Sequence, residues 1–286
     1  MPNPVPSTAH SPYPPALWRL LIHDPANGAY NMAVDEAISE AVRAGQVPPT
    51  LRFYAWEPDC LSLGYGQPSA DADFNRLRAN GWGIVRRLTG GRAILHADEL
   101  TYSVAAPLSD PRVQGSIVES YRRLSMGLLA GLNALGAAAA AEQADADAHR
   151  FKGAVCFEVP SDYEITAHGR KLVGSAQTRR GAGDVVMQHG ALPLAGDVAR
   201  ICEALAFETP AARQAARARV LERAITLEEA LGRPVSFAQA ADALTQGFAG
   251  ALSLTFEPGE LTPAESERAA ALYEERYSSP AWTLKL

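Results

Sequence analysis

Arg86-Arg87-Leu88-Thr89-Gly90-Gly91-Arg92-Ala93-Ile94-Leu95-His96-Ala97-Asp98-Glu99-Leu100-Thr101-Tyr102-Ser103-Val104 sets a glycine pair between two basic flanks and runs straight into a strand-like stretch. Gly90 and Gly91 remove two side chains where the backbone must bend or come close to another group. Arg86, Arg87 and Arg92 supply fixed positive charge suited to a phosphate or a carboxylate. Taken alone, such a stretch reads first as a hairpin turn with solvated arginines. The rest of the chain decides between that reading and a ligand-binding loop.

The 286 residues suffice for one large domain, or one domain plus a small appendage, with a sizeable core. A hydrophobic content of 47% with 20% charged residues is that of an ordinary soluble globular protein. The net charge of -6 argues against a general affinity for nucleic acid. An acidic carrier protein can still dock on a local basic patch. Three widely spaced cysteines, Cys60, Cys156 and Cys202, suggest neither a disulfide framework nor a zinc site, and a reducing cytoplasm is the expected home. Met1 to Pro15 holds six prolines without an apolar core or basic leader, so it reads as a disordered tail and not as a signal peptide. No apolar run approaches the roughly 20 residues that span a bilayer.

Apolar spacing predicts a helix over 27–44, capped by Asn27 and stopped at Gly45. Strands fit 51–56, 61–65, 83–87 and 99–105, with a helix at 70–80 between them and another over 117–135. The Ala-rich stretch 136–149 reads as a surface excursion or a frayed helix. Strands resume at 154–157, 163–167, 171–177 and 186–193. Helical patterns follow at 198–206, 226–231, 237–251 and 263–277. Runs of strands followed by runs of helices indicate an α+β arrangement.

Three ordered blocks carry a family resemblance. The first is the loop quoted above with its Glu99-Leu100-Thr101-Tyr102-Ser103 strand. The second is Gly169-Arg170-Lys171-Leu172-Val173-Gly174-Ser175-Ala176-Gln177-Thr178-Arg179, and the third Gln188-His189-Gly190-Ala191-Leu192. Together they resemble the lipoate-protein ligase and octanoyltransferase family, and the likeness extends from about Trp18 through Asn31–Glu36 to Tyr277–Trp282. The resemblance implies the biotin/lipoate ligase catalytic fold, a mixed β-sheet flanked by helices. It divides the chain into a Pro-rich tail (1–16), an acyltransferase domain (17–252) and a helical C-terminal extension packed on it (253–286).

In its apolar setting Cys156 reads as a buried small hydrophobe. Its place ahead of a Pro-Ser-x-Tyr-Glu strand, fifteen residues before Lys171, resembles instead the acyl-accepting nucleophile of transferases that act on the glycine-cleavage H protein. Thiolate is the attacking species, and Lys171 is the neighbouring cation. It can lower the thiol pKa, polarise the acyl carbonyl or take the proton from the incoming amine. Arg87 and Arg92 are the ligand-facing arginines, with pairing to Glu99 or Asp98 as the alternative. The resemblance implies that His96 lines the acyl pocket or orients a backbone turn and that His189 hydrogen-bonds near the acyl thioester, with a purely structural histidine as the alternative for each, and it puts Thr89 among the substrate-binding residues. Small residues at Gly90, Gly91, Gly174, Ser175 and Ala176 leave an apolar slot for an eight-carbon chain. Cys60 and Cys202 read as packing residues.

The resemblance implies transfer of octanoyl from acyl-carrier protein, through a Cys156 thioester, to a lysine of the H protein or of a 2-oxoacid dehydrogenase lipoyl domain. Neither metal, nucleotide nor other cofactor is then required, and neither nucleic acid nor a membrane is a partner. The rivals are an ATP-dependent lipoate-protein ligase, an amidotransferase moving acyl groups from the H protein to lipoyl domains, and a non-catalytic lipoyl-domain binding module.

Overall fold

A computed structural model describes residues 11–142, 164–179 and 184–286. Alternation along β6 (Glu99–Pro107) organises them. Leu100, Tyr102, Val104 and Ala106 enter one core, while Thr101, Ser103 and Ala105 face the other side, and both sets are buried. β6 pairs antiparallel with β2 (Thr50–Tyr54) and β10 (Val185–Pro193). Beyond β2, β1 (Ala16–Ile22) and β11 (Leu254–Pro258) add in parallel. Beyond β10, β9 (Arg170–Thr178), β8 (Glu164–Ala167) and β7 (Ala140–Glu142) continue antiparallel, giving the mixed order β11-β1-β2-β6-β10-β9-β8-β7.

The apolar face of this sheet is covered by α3 (Ile117–Leu135) and α7 (Phe237–Leu252). These helices approach very closely: a Cβ at Gly247 would lie 2.3 Å from the Gly131 backbone nitrogen, and one at Gly131 would lie 2.6 Å from Ala243 O. The opposite face carries α1 (Gly28–Arg43), whose first turn is capped by Asn27 accepting from Tyr30 N–H at 3.0 Å. Outside α1 lie α8 (Pro263–Leu272), a π-helical turn over Tyr273–Tyr277 and α9 (Pro280–Thr283).

A second sheet, ordered β4 (Gly83–Arg86), β3 (Cys60–Leu63), β5 (Ile94–His96), holds the Gly90–Gly91 loop between its outer strands. It is backed by α2 (Phe74–Ala79), α4 (Ile201–Ala204) and α5 (Pro210–Arg223), through Leu61, Leu63, Leu77, Ile201 and Val220. The short α6 (Leu227–Leu231) leads from α5 toward α7. Among the described residues, no helix is long and apolar enough to cross a membrane.

Several elements differ from the sequence expectation for identifiable reasons. The helix expected over 70–80 begins only at Phe74, because Asp73 caps it by accepting from Arg76 N–H. The helix expected at 198–206 is divided into a 3-10 turn and the four-residue α4. The one at 263–277 widens into the π turn. α5 escapes the periodicity reading because only Ala216 and Val220 of its residues are buried. β1, β5, β7 and β11 are additional strands: β7 pairs with β8 inside the stretch read as a surface excursion or frayed helix, whose residues 143–149 lie outside the described ones, and the segment from 253 opens with a strand before its helices. Ser11–Pro15, the described part of the expected tail, is held by Ser11 Oγ donating to Ala251 O and Arg112 donating to Pro14 O. The strand expected at 154–157 lies outside the described residues.

The close helix crossing generates a prediction. Gly247→Ala should destabilise the fold by about 1–3 kcal/mol, the usual cost of overpacking a tight contact. A urea-denaturation midpoint equal to wild type would mean that α3 and α7 separate freely.

Candidate active site

The polar side chains on the buried, α1-facing side of the sheet need partners, since burying them unpaired costs free energy. Asp35 of α1 supplies the acceptor. It takes hydrogen bonds from Arg52 NH1 at 2.7 Å, Tyr54 Oη at 2.8 Å and Ser103 Oγ at 2.8 Å. His189 Nδ1 lies 3.4 Å away. Burial pushes this carboxyl up, but the Arg52 charge and the His189 and Arg52 hydrogen bonds outweigh it and bring it down to about 2. Burial holds His189 below its ordinary value, partly countered by Asp35.

The Gly90–Gly91 loop is built around Arg87. Its guanidinium donates to Ser62 O and Oγ (2.9 and 3.0 Å), Thr89 Oγ1 (3.1 Å), Gly90 O (2.9 Å) and Arg92 O (2.7 Å). Two relays leave this group. Thr89 Oγ1 meets His189 Nε2 at 2.7 Å, and His189 leads to Asp35. Ser62 Oγ meets His96 Nε2 at 2.8 Å, and His96 Nδ1 meets Glu99 Oε1 at 2.7 Å. Each partner set fits one tautomer, with Nδ1–H toward the carboxylate and Nε2 accepting from the hydroxyl. Trp56 stacks on His96 at 3.9 Å between centroids and donates to Thr101 Oγ1 at 2.8 Å.

Inside this ring lies a narrow cavity of about 40 Å³ whose lining includes Met32, Trp56, Gly91, Gly174, Ser175 and Ala176. Arg87, His96 and His189 also border it, while Thr89 stands behind His189. Gly91 has a φ of +89°, a conformation that favours glycine. Gly90 and Arg92 are not in the cavity lining; with Gly91 they line an open groove of about 690 Å³. Arg87 and Arg92 do not pair with the hairpin acids: Asp98 pairs with Arg200 at 2.7 Å and Glu99 with His96. Arg86, grouped by sequence with the ligand-facing charges, is fully buried and bonded to backbone carbonyls.

Lys171 is the second residue of β9, the strand that carries Gly174–Ala176, but is not among the residues lining the cavity; its Nζ donates to Glu164 Oε1 at 2.7 Å. Cys156 lies outside the described residues. Cys60 and Cys202 are buried in apolar surroundings, and burial pushes the Cys60 thiol up to about 12. Among the described residues, no cluster of three or more His, Cys, Asp or Glu side chains is placed to hold a metal. Sequence reasoning gave no role to Asp35, Arg52, Tyr54 or Ser62, and considered Glu99 only as a partner for Arg87 or Arg92. The available signal was Asp35, which with Asn31, Glu36 and Ser39 is a polar residue falling among the buried positions of α1.

The chain belongs to the lipoyl protein ligase A/B catalytic-domain family, whose profile matches residues 27–249. It is 44% identical over 273 residues to octanoyltransferase LipM of Symbiobacterium thermophilum, covering 94% of this chain and 98% of that one. Among solved structures it resembles a bipartite lipoate protein ligase of Thermoplasma acidophilum studied with its E2 lipoyl domain. The TM-score is 0.78 at 24% identity, over 93% of this chain and 95% of that one. It also resembles a lipoate protein ligase from T. acidophilum with bound lipoic acid, at TM-score 0.76 and 26% identity, over 95% of this chain and all of that one.

Two outcomes follow from the buried charges. Asp35→Asn at pH 7 should cost about 3–5 kcal/mol, because Arg52 is left without its counter-charge; chemical denaturation reads this directly. His23 accepts from Arg52 Nε at 2.8 Å, and burial together with Arg52 lowers its pKa from 6.5 to about 4. The unfolded chain therefore binds the proton first, so this contribution is complete above pH 6.5 and is lost as pH falls toward 4. The melting temperature should decline through that window, and His23→Gln should flatten the decline. An unchanged slope would remove His23 as its cause.

Proposed function

We infer that this chain is an octanoyltransferase of lipoate biosynthesis, an acyltransferase that makes protein-bound octanoyl groups. The observation carrying the reading is the apolar cavity under the Gly-Gly loop, in a chain 44% identical to an octanoyltransferase over nearly its full length. The polar groups around the cavity are paired with one another, so its surface suits a saturated chain. Each buried methylene contributes roughly 0.8 kcal/mol, enough to favour octanoyl over acetyl.

The donor in this reading is octanoyl-acyl-carrier protein. Cys156 thiolate attacks the thioester carbonyl: the new carbon–sulfur bond forms, the donor's carbon–sulfur bond breaks, and the carrier thiolate takes up the proton that Cys156 released. The acceptor lysine amine then attacks the Cys156 thioester. A carbon–nitrogen bond forms, the sulfur departs, and the amine's proton returns to it. Splitting the transfer lets two bulky proteins approach in turn. Lys171, fifteen residues after Cys156 in the chain, is the cation that favours the thiolate in this reading. The acceptor is a lysine of the glycine-cleavage H protein or another lipoyl domain, a class supported by the E2 lipoyl domain named with the archaeal ligase.

The ATP-dependent ligase is the rival reading. Arg86 and Arg87 are bonded to backbone carbonyls, while Arg92 lines the open groove, so the charges of the loop do not by themselves separate the two readings. Intact-mass spectrometry after mixing the chain with octanoyl-acyl-carrier protein, without ATP, separates the two. One octanoyl group should appear, be released by neutral hydroxylamine and be absent from Cys156→Ala. Cys60→Ala and Cys202→Ala should load normally. Full transfer by Cys156→Ala would sink the covalent route.

Lys171→Ala should slow loading and raise the thiol pKa. A two-unit rise costs roughly 2.7 kcal/mol in ionising the thiol. Iodoacetamide labelling of Cys156 against pH measures it. Superimposable profiles for the two proteins would assign Lys171 to the acyl carbonyl or the incoming amine.

A further inference from the structure

Arg86 is fully buried, yet its guanidinium meets no carboxylate among its hydrogen-bond partners. NH1 donates to Gly64 O (2.8 Å), Tyr65 O (3.3 Å) and Gln67 O (2.6 Å). Nε and NH2 both donate to Thr283 O, at 3.1 and 2.9 Å. A charge held this way keeps two distant segments together, because withdrawing either set of carbonyls strands buried donors. The C-terminal residues reinforce the grip. Trp282 Nε1 donates to Arg86 O at 2.8 Å, Ser69 N and Oγ donate to Leu286 O at 2.8 and 2.6 Å, and Lys285 Nζ lies within 3.8 Å of the Tyr65 and Trp282 ring centroids. Arg276 and Tyr277 tie the same segment to Glu36 of α1.

The segment gripped on the other side touches the cavity wall. A Cβ on Gly64 would lie only 2.0 Å from Gly91 O, and Tyr65 N donates to Thr89 O at 2.9 Å. The height of residues 64–67 therefore fixes the height of Thr89–Gly91, and Gly91 borders the cavity. We propose that Trp282 and Thr283, acting through Arg86, set the width of the acyl cavity and hence its preference for chain length. Arg86 is a positioning residue, and the proposal rests on the octanoyl-transfer reading for the identity of the occupant.

Contacts that only stabilised the fold would, when weakened, reduce loading evenly across chain lengths. The test uses full-length wild type, Arg86→Lys and Trp282→Phe, loaded from hexanoyl, octanoyl, decanoyl and dodecanoyl carrier thioesters. Amide hydrogen exchange is followed in parallel at residues 64–67 and 88–92. In the variants, exchange should rise about tenfold in those two segments and stay unchanged in α3 and α7, as local opening requires. The KM of the longer donors should fall relative to octanoyl, by about fourfold for each extra methylene that now fits. Trp282→Phe keeps a ring and loses one hydrogen bond, so it should shift the profile less, and it carries the test if Arg86→Lys does not fold. A chain-length profile identical to wild type, or unchanged exchange at 88–92, would overturn the proposal. If wild type accepts none of the donors, the octanoyl-transfer reading fails; the exchange measurement then decides the clamp alone.

Discussion

The site hangs on a single buried guanidinium, that of Arg87. Its donors demand five acceptors in one small volume, and the chain meets the demand by curling Thr89–Arg92 back over the side chain and bringing β3 alongside. Two hydroxyls that accept from Arg87 then orient two histidines, and each histidine leads to a buried carboxylate. Asp35 gathers side chains from β2, β6 and β10 as well. A network of this kind stabilises only when nearly complete, since a half-paired buried group costs more than an apolar one. Loop shape and histidine orientation are thus tied to one buried charge.

The same pairing makes the cavity apolar. Polar groups that satisfy one another present carbon to the space they enclose: the Trp56 ring held by Thr101, the Met32 side chain, and the bare backbone of Gly91 and Gly174. Selectivity for a saturated chain then needs no group that recognises it. It needs only walls held at a fixed separation, because a gap of a fraction of an ångström already forfeits much of the dispersion attraction.

What the sequence made legible was local. The glycine pair, the cap at Asn27 and the 117–135 helix are written in neighbouring residues, and the helix begins and ends where its Ser116–Glu119 capping box and Gly136 place it. The three family-like blocks bring Gly91, Gly174–Ala176 and His189 to one cavity from distant parts of the chain. The partners of these residues were illegible because they are long-range. Nothing near Asp35 announces that Arg52, Ser103 and His189 converge on it, and Arg86 and Arg87 look alike in sequence while serving opposite sides of the loop. Short or polar elements were hidden for the complementary reason: β5 has three residues, and α5 buries too few to show a stripe.

Where the free energy for acylation enters also follows from how the arginines are used. Making an acyl-phosphate anhydride from a free acid requires charges that stay available to a polyphosphate through the reaction. Here Arg86 clamps the 64–67 and C-terminal segments and Arg87 shapes the loop, each through main-chain carbonyls that keep the fold intact. Diverting either to a ligand would break the cavity it maintains. In the proposed transfer reading a thioester donor brings an acyl group already activated and asks the site only for an apolar slot, a nucleophile and a proton path. The buried charge of Arg86 and Arg87 therefore serves the cavity, and a charged ligand is met by groups outside this pair, such as Arg92 on the open groove.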